Sequence, residues 1–190
     1  VKQAAARANR RLGNLPAAKA DAIERACDLI AVDGRFHDQF VVDAVQGGAG
    51  TSTNMNANEV IANVALELMG KAKGDYAALH PNDDVNMAQS TNDAYPTALR
   101  LAVIFATEPM IAALDELAFA FKAKAVEFAD VLKIGRTQLQ DAVPMTLGQE
   151  FDAFFATIKE DVSRLREAAA LFREVNLGAT AIGTSVTAAP

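Results

Sequence analysis

The 190-residue sequence is poor in the residues that form disulfides, bind metals or act as reactive thiols, with one cysteine and two histidines, and it has no tryptophan. A single cysteine, Cys27, cannot form a disulfide within the chain, so we expect a reducing, cytoplasmic location. Cys27 lies in a helical stretch rich in Ala, Ile and Leu, which favours a small buried residue over a nucleophile. His37 and His80 have no second ligand at metal spacing. The sequence therefore predicts neither a bound metal nor a cofactor.

Positive charge and long hydrophobic runs are also scarce. The chain has 18 Lys and Arg against 24 Asp and Glu, a formal net charge of −6. Nucleic-acid binding needs a basic face, so no nucleic-acid partner is expected. No stretch of 18 consecutive apolar residues occurs, and we expect no membrane partner. Hydrophobic residues nevertheless make up 51% of the chain, which is enough to bury a sizeable core.

What is present favours helices, because alanine is abundant and runs of β-branched residues are rare. Shorter helices are predicted over residues 1–13, 16–34 and 54–70. The last of these contains Asn56 followed three residues later by Glu59, which resembles a capping box. Residues 35–53 look irregular, with at most a short strand near residues 40–45. The expected fold class is all-α.

Two long helices are predicted in the second half of the chain. Residues 97–128 carry a heptad-like apolar stripe, within which Pro109 predicts a kink or a local break. A second long helix is predicted from about Pro144 to residue 173, with a short extended piece at 131–137 before it. Two such helices suit antiparallel neighbours in a bundle. Half a bundle leaves a large apolar face exposed, so the stripes would also suit an oligomer.

Three polar segments are each predicted to lie just before a helix. They are GGAGTSTN (47–54), QSTND (89–93) and GRTQLQD (135–141). Helix N-termini present unpaired N–H groups and the positive end of the helix dipole, so together the segments could bind a small dianion such as a dicarboxylate. The alternative is ordinary helix capping, which Ser, Thr, Asn and Asp commonly perform. Composition and spacing leave both interpretations open.

Four longer motifs, in order along the chain, resemble the aspartase/fumarase superfamily. They are GGAGTSTNMNANEV, HPNDDVNMAQSTNDAYPTA, GRTQLQDAVPMTLGQE and VNLGATAIGT, and the resemblance runs from about Lys2 to Thr184. It implies an almost entirely helical fold, with residues 1–92 in an N-terminal helical domain that is incomplete at its start. Residues 93–190 would form the first, incomplete part of a central helical bundle. It also implies a homotetramer built through that bundle, with active sites where three subunits meet.

Within the superfamily the motifs are more similar to aspartases than to fumarases. Ser90-Thr91-Asn92 stands where fumarases usually carry Ser-Ser-Asn, and Thr137-Gln138 stands where they usually carry Thr-His. The HPNDDVN motif also resembles fumarases, so a class II fumarase is the alternative within the superfamily. A non-catalytic helical assembly module is a third interpretation.

The resemblance to aspartases implies reversible deamination of L-aspartate to fumarate and ammonia. A serine base would remove the Cβ proton and form an aci-carboxylate intermediate. The signature that supplies this serine, GSSxMPxKxNP, is absent from the sequence. We therefore expect the chain to be a fragment, inactive alone, with the catalytic serine beyond Pro190.

The resemblance also implies roles for six substrate-binding residues. These residues are Thr51, Ser90, Thr91, Asn92, Thr137 and Gln138. Thr51 would lie near the amino group or the α-carboxylate, and the Ser90 and Thr91 hydroxyls would hold carboxylate oxygens. Asn92 would contact the amino group, Thr137 the β-carboxylate, and Gln138 would stand beside the leaving ammonia. Arg136 and Asp141 would brace their loop.

Overall fold

The computed structural model describes residues 1–46 and 48–188, and over these residues it is mostly helical. Its helices are α1 (Lys2–Arg11), α2 (Ala17–Ala31), α3 (Thr51–Leu68), α4 (Thr91–Glu127) and α5 (Leu147–Leu171), with a 3-10 helix at His37–Gln39 and a π-helix at Pro81–Val85. Two strands, β1 (Leu132–Thr137) and β2 (Gln140–Thr146), form an antiparallel hairpin. Helix accounts for 60% and strand for 7%, which confirms the all-α fold class.

The chain divides into two compact units, the first formed by residues 1–99 together with the segment after residue 174. Its core lies between α1, α2 and α3. Ala20, Ile23 and Ala26 recur at helical spacing along α2 and are fully buried, as are Ala62 and Leu66 of α3. The apolar residues that predicted these helices therefore form a continuous core, and the transfer of their surface from water stabilises this unit.

The second unit comprises residues 100–174, in which α4 and α5 run antiparallel. Their direction follows from the aromatic pairs: Phe128 contacts Phe151 and Phe121 contacts Phe154, each with ring centroids 5.5 Å apart. The seam contains few fully buried side chains, and it leaves other apolar ones in solvent, such as Phe105 at 73% exposed. The predicted antiparallel pair is confirmed.

Helix α4 is long and apolar enough to cross a membrane by length and composition. Its most apolar 18-residue window has a mean hydropathy of 1.5, and 11% of that window is buried within the chain. Length and composition do not distinguish such a span from a helix whose apolar face packs in an assembly. Arg100, Glu108 and Asp115 interrupt the apolar run, so the sequence still has no 18 consecutive apolar residues.

The segment between the long helices differs from expectation. The extended piece near 131–137 is confirmed as β1, but it pairs with β2, a strand that the sequence did not predict. Helix α5 begins at Leu147 instead of Pro144, and Thr146 and Gln149 form a reciprocal capping box at its start. The predicted break at Pro109 is wrong, because α4 is assigned as one continuous helix through that position.

The start of α3 also differs from expectation. The helix begins at Thr51 because Gly50 adopts a left-handed conformation with φ of +77° and serves as its N-cap. Asn56 and Glu59 therefore lie inside the helix, and the predicted capping box is wrong. No strand occurs near residues 40–45 in the part of the chain that the structure describes. The proposed domain division after residue 92 stays a prediction.

Candidate substrate-binding site

The turn before α4 is fixed by a reciprocal cap. The Ser90 Oγ accepts a hydrogen bond from the Asn92 N–H at 3.2 Å, and the Asp93 Oδ1 accepts one from the Ser90 N–H at 2.9 Å. The capping interpretation of this segment therefore holds for Ser90 and Asp93. Because the Ser90 oxygen is the acceptor, its own proton stays available to donate to a ligand.

Asp93 is a structural residue beside these side chains that the sequence analysis did not single out, and it is completely buried. Its second oxygen accepts hydrogen bonds from the N–H groups of Gly178, at 3.1 Å, and Thr180, at 2.8 Å. The Asn92 side-chain amide donates to the carbonyl of Ala181 at 2.8 Å. These bonds hold the VNLGATAIGT motif against the start of α4. The sequence signal was an Asp at the third position of the helix. An Asp that only caps a helix would be left exposed, whereas this one is buried.

Thr91 is the first residue of α4, and its hydroxyl takes part in a buried network of hydrogen-bonded side chains. Its Oγ1 accepts a hydrogen bond from the Asn54 Nδ2 at 3.0 Å. The same Asn54 nitrogen lies 3.3 Å from the Asn86 Oδ1, which also accepts from the Lys2 Nζ at 2.7 Å. Burial lowers the pKa of Lys2 to about 8, against the opposing attraction of the Asp93 carboxylate. Lys2 is therefore still mainly an ammonium ion at neutral pH.

Thr51 begins α3 and is exposed to solvent. Gly50 before it has no side chain with which to cap the helix, and no side chain among the described residues accepts a bond from the first N–H groups of α3. A Cβ placed on Gly50 would lie 2.3 Å from the Tyr95 ring, so the starts of α3 and α4 are in direct contact. The first two polar segments, with Thr51, Ser90, Thr91 and Asn92, therefore meet within one chain.

Thr137 and Gln138 lie in the second compact unit, at the tip of the hairpin. Thr137 ends β1, and Gln138 and Leu139 form the turn with φ of +50° and +65°. Both predicted site residues are exposed. The expectation that this segment directly precedes a helix is wrong, since β2 separates it from α5. The Arg136 Nε pairs with the Asp141 Oδ1 at 3.1 Å across the hairpin, and both side chains are exposed.

The remaining reactive residues have structural roles. Burial raises the pKa of the Cys27 thiol to about 11, so it stays protonated and unreactive. The His80 Nδ1 accepts hydrogen bonds from the N–H groups of Asn82 and Asp83 and caps the π-helix. The His37 Nε2 lies 2.9 Å from the carbonyl of Ile30. Across residues 1–46 and 48–188, no group of three His, Cys, Asp or Glu side chains is placed to hold a metal ion.

The arrangement at the start of α3 and α4 can therefore bind an anion. It combines two hydroxyl donors, the free N–H groups of one helix start and an ammonium group behind them. It offers neither a strong base nor a nucleophile. Chemistry at a bound carboxylic acid would need a further group outside this cluster.

Comparison with known proteins gives the class to which such a site belongs. A family model described as "Lyase" matches residues 1–190. The chain belongs to this lyase family, and its predicted membership of the aspartase/fumarase superfamily is confirmed.

Particular relatives are similar over the whole chain. The aspartate ammonia-lyase of Pseudomonas aeruginosa is 66% identical over 191 residues, which is 100% of this chain and 40% of that protein. A solved structure of a fumarate lyase:delta crystallin from Brucella melitensis bound to cobalt has a TM-score of 0.94 and 64% identity, and covers 99% of this chain and 41% of that one. Recombinant class II fumarase from Schistosoma mansoni has a TM-score of 0.90 and 37% identity, over 99% of this chain and 39% of that one. The chain spans about two-fifths of the length of these relatives.

Proposed function

We propose that this chain is the part of an aspartate ammonia-lyase that supplies carboxylate-binding donors to the substrate pocket. The whole enzyme would convert L-aspartate reversibly to fumarate and ammonia. The observation that carries the proposal is the difference in identity: 66% to an aspartate ammonia-lyase and 37% to a class II fumarase, each over nearly the whole chain. Thr91 and Gln138 also favour an aspartate ammonia-lyase, because fumarases usually carry Ser and His at these two positions.

The proposed reaction passes through a doubly charged carboxylate. A serine base outside the residues named here would take the Cβ proton, and the electron pair of the C–H bond would move onto the neighbouring carboxylate to give the aci form. Collapse of this intermediate forms the C=C bond of fumarate and expels ammonia with the electrons of the C–N bond. The intermediate is costly unless fixed donors share its charge, and one such donor contributes about 3 kcal/mol. No metal or cofactor is part of the proposal.

The donors in this chain would have distinct roles. The Ser90 and Thr91 hydroxyls would hold carboxylate oxygens, because both accept a bond from the chain and keep their proton for a ligand. Thr51 would bind near the amino group or the α-carboxylate, and the open N-terminus of α3 beside it favours the carboxylate. Asn92 would also contact the amino group. Thr137 would hold the β-carboxylate, and Gln138 would stand beside the departing ammonia.

The proposed assembly is a homotetramer formed through α4 and α5. Its support is the apolar surface that these helices leave exposed, including Phe105, Phe119 and Val126. A second chain would bury this surface and remove it from water. A cytoplasmic location is proposed from the single cysteine, which suits a reducing compartment.

The test uses the complete protein that contains this chain. Purified protein is given L-aspartate and assayed for ammonia, and separately given fumarate alone and assayed for malate. Ammonia release without malate formation is expected. Malate formation without ammonia release would replace the proposal with a class II fumarase. A tetramer that performs neither reaction would instead be a helical assembly module.

A further inference from the structure

We propose that Asn54 is a positioning residue that fixes the Thr91 hydroxyl as an outward hydrogen-bond donor. Through this bond, Asn54 would set the polarity of the carboxylate site without touching the substrate. The inference rests on the proposed function in one respect, the assignment of Thr91 as a carboxylate-binding residue.

The direction of the hydrogen bonds is set at Lys2. An ammonium group can only donate, so the Asn86 atom that lies 2.7 Å from the Lys2 Nζ must be the side-chain oxygen. The other end of the Asn86 amide agrees, because its Nδ2 donates to the carbonyl of Gln89 at 3.1 Å. The orientation of Asn86 is thus determined by an obligatory donor on one side and an obligatory acceptor on the other.

Asn54 takes its orientation from Asn86. It is 5% exposed, and its Nδ2 faces both the Asn86 Oδ1, at 3.3 Å, and the Thr91 Oγ1, at 3.0 Å. Turning the Asn54 amide over would place its oxygen against the Asn86 oxygen with no proton between them. A buried contact of two acceptors is unfavourable, so Asn54 presents its NH₂ group to Thr91.

Thr91 must then accept, which frees its proton. A hydroxyl has one proton, and with the acceptor role filled by Asn54 that proton can point to a ligand. No described residue accepts a hydrogen bond from the Thr91 hydroxyl. A carboxylate offers only acceptor atoms, so a site with this polarity suits it and a site with the opposite polarity would reject it.

Asn54 also belongs to the same helical turn as Thr51, since its N–H donates to the carbonyl of Gly50 at 3.1 Å. One buried side chain therefore ties the start of α3, which carries Thr51, to the Thr91 donor of α4. The charged Lys2 ammonium group lies at the far end of the neutral hydrogen-bonded side chains Asn86 and Asn54, and it adds attraction for an anion.

The test is a double-mutant cycle in the complete protein, with succinate as an unreactive dicarboxylate probe measured by calorimetry. Asn54→Leu removes the donor and keeps the number and branching of the side-chain heavy atoms, and Thr91→Val removes the hydroxyl. We expect Asn54→Leu to weaken succinate binding about tenfold in the wild-type background and hardly at all in the Thr91→Val background. An equal effect in both backgrounds, or none in either, would overturn the inference.

Asn63→Leu is the matched control. Asn63 also lies on α3 and makes side-chain hydrogen bonds, to Glu59, Tyr76 and Gly74, but none to Thr91. It should lower the melting temperature without changing succinate affinity, which separates lost stability from lost positioning. If Asn54→Leu does not fold, Lys2→Met tests the same hydrogen-bonded side chains from their other end. It should weaken succinate binding several-fold in the wild-type background and less in the Thr91→Val background, because the lost charge acts in both and the lost orientation of Thr91 only in the first; equal losses would show a charge effect alone. Unchanged affinity in Lys2→Met would then contradict the inference.

The two proposals fail in different ways. A wild-type protein that binds succinate but releases no ammonia from L-aspartate overturns the proposed reaction and leaves the cycle measurable. A wild-type protein that deaminates L-aspartate while the cycle is additive overturns only the role of Asn54. Wild-type protein that does not bind succinate overturns the inference, because Thr91 would then not be a carboxylate donor.

Discussion

The turn at Ser90–Asn92 and the hairpin tip at Thr137–Gln138 were both predicted to bind the substrate, yet different interactions hold them in place. At the first, Asp93 is fully buried and receives three backbone N–H bonds, while Asn54 fixes Thr91. At the second, both residues are exposed, and the nearby ion pair of Arg136 and Asp141 is exposed too. The first region is held by hydrogen bonds of buried side chains, and the second by a two-stranded hairpin whose tip is exposed.

This difference separates two sources of preorganisation. Donors contribute most when they are fixed before the charge develops, and the buried bonds around Thr91 fix it in the chain itself. An isolated two-stranded hairpin is marginally stable, and an exposed ion pair adds less than about 1 kcal/mol. The position of Thr137 therefore depends on what covers the hairpin. In the proposed tetramer, another subunit would have to supply that cover.

Replacing Thr91 by Ala should have the largest effect on activity. The variant removes the proposed carboxylate donor, so kcat/KM for L-aspartate in the complete protein should fall by about 10²–10³. Its melting temperature should change little, because Ser90 and Asp93 still cap the helix and the Asn54 Nδ2 keeps the Asn86 Oδ1 as an acceptor. Steady-state kinetics and thermal unfolding measure the two effects.

Thr91→Ser is the control for this experiment, since it keeps the hydroxyl that Asn54 orients. It should retain most of the activity. Full activity in Thr91→Ala would instead leave capping as the whole function of the turn.

Replacing Asp93 by Asn should have the next largest effect, on stability. The amide keeps one acceptor oxygen but places an NH₂ group against N–H donors that the carboxylate satisfied. Unsatisfied buried groups of this kind cost about 3 kcal/mol. Hydrogen exchange should accelerate in residues 176–183, and the melting temperature should fall.

Asp33→Asn is the matched control, because Asp33 is exposed and its carboxylate makes no hydrogen bond with a described residue. It should leave both measurements unchanged. If amide hydrogen exchange in residues 176–183 is as slow in the Asp93→Asn variant as in the wild-type protein, other contacts hold this loop. The hydrogen bonds of Asp93 would then fix the first region less than the structure indicates.

The sequence predicted the helices well and the hairpin badly, for a physical reason. Ile23 and Leu66 lie on apolar faces whose spacing already encodes their burial, so local pattern and tertiary packing agree. In β2, Pro144 argued for a helix start and against a strand interior. It is tolerated because a two-stranded hairpin has only edge strands.

The site was predicted only in part, because a local sequence pattern indicates some of its interactions and not others. Hydroxyl and amide residues before helices could be recognised as capping or binding residues, and Ser90 performs the first of these roles. The contacts of Asn54 and Asp93 connect positions 37 and 87 residues apart in sequence, as the bonds to Thr91 and Thr180 show. No local pattern contains such a pairing. The sequence did not predict the left-handed turn at Gln138, because neither residue of the turn is Gly, Asn or Asp.

Replacing Gly50 by Ala should have a smaller effect, and it tests whether the starts of α3 and α4 are held in contact. The left-handed φ of +77° disfavours any side chain, and the new Cβ would overlap the Tyr95 ring. We expect a loss of about 2–3 kcal/mol in the free energy of unfolding. Denaturant unfolding of the complete protein measures it.

Gly70→Ala is the matched control, because Gly70 has a similar φ of +71° with no atom within 4 Å of the added Cβ. It should lose only about 1 kcal/mol, the conformational part of the penalty. Removing the ring with Tyr95→Ala should bring the cost of Gly50→Ala down to the same level. Equal losses at Gly50 and Gly70 would show that the Tyr95 contact is not tight.

The smallest expected effect, from Leu139→Gly, decides whether the hairpin is held by its own turn. Leu139 is 95% exposed and has a φ of +65°, so glycine would relieve backbone strain without losing buried surface within the chain. The hairpin should gain about 0.5–1 kcal/mol, and amide exchange in β1 and β2 should slow. Leu132→Gly, at another exposed leucine within β1, should instead speed exchange, since glycine weakens a strand. Faster exchange in Leu139→Gly would mean that another subunit packs on this side chain, so that the order of the second region comes from the assembly and not from its turn.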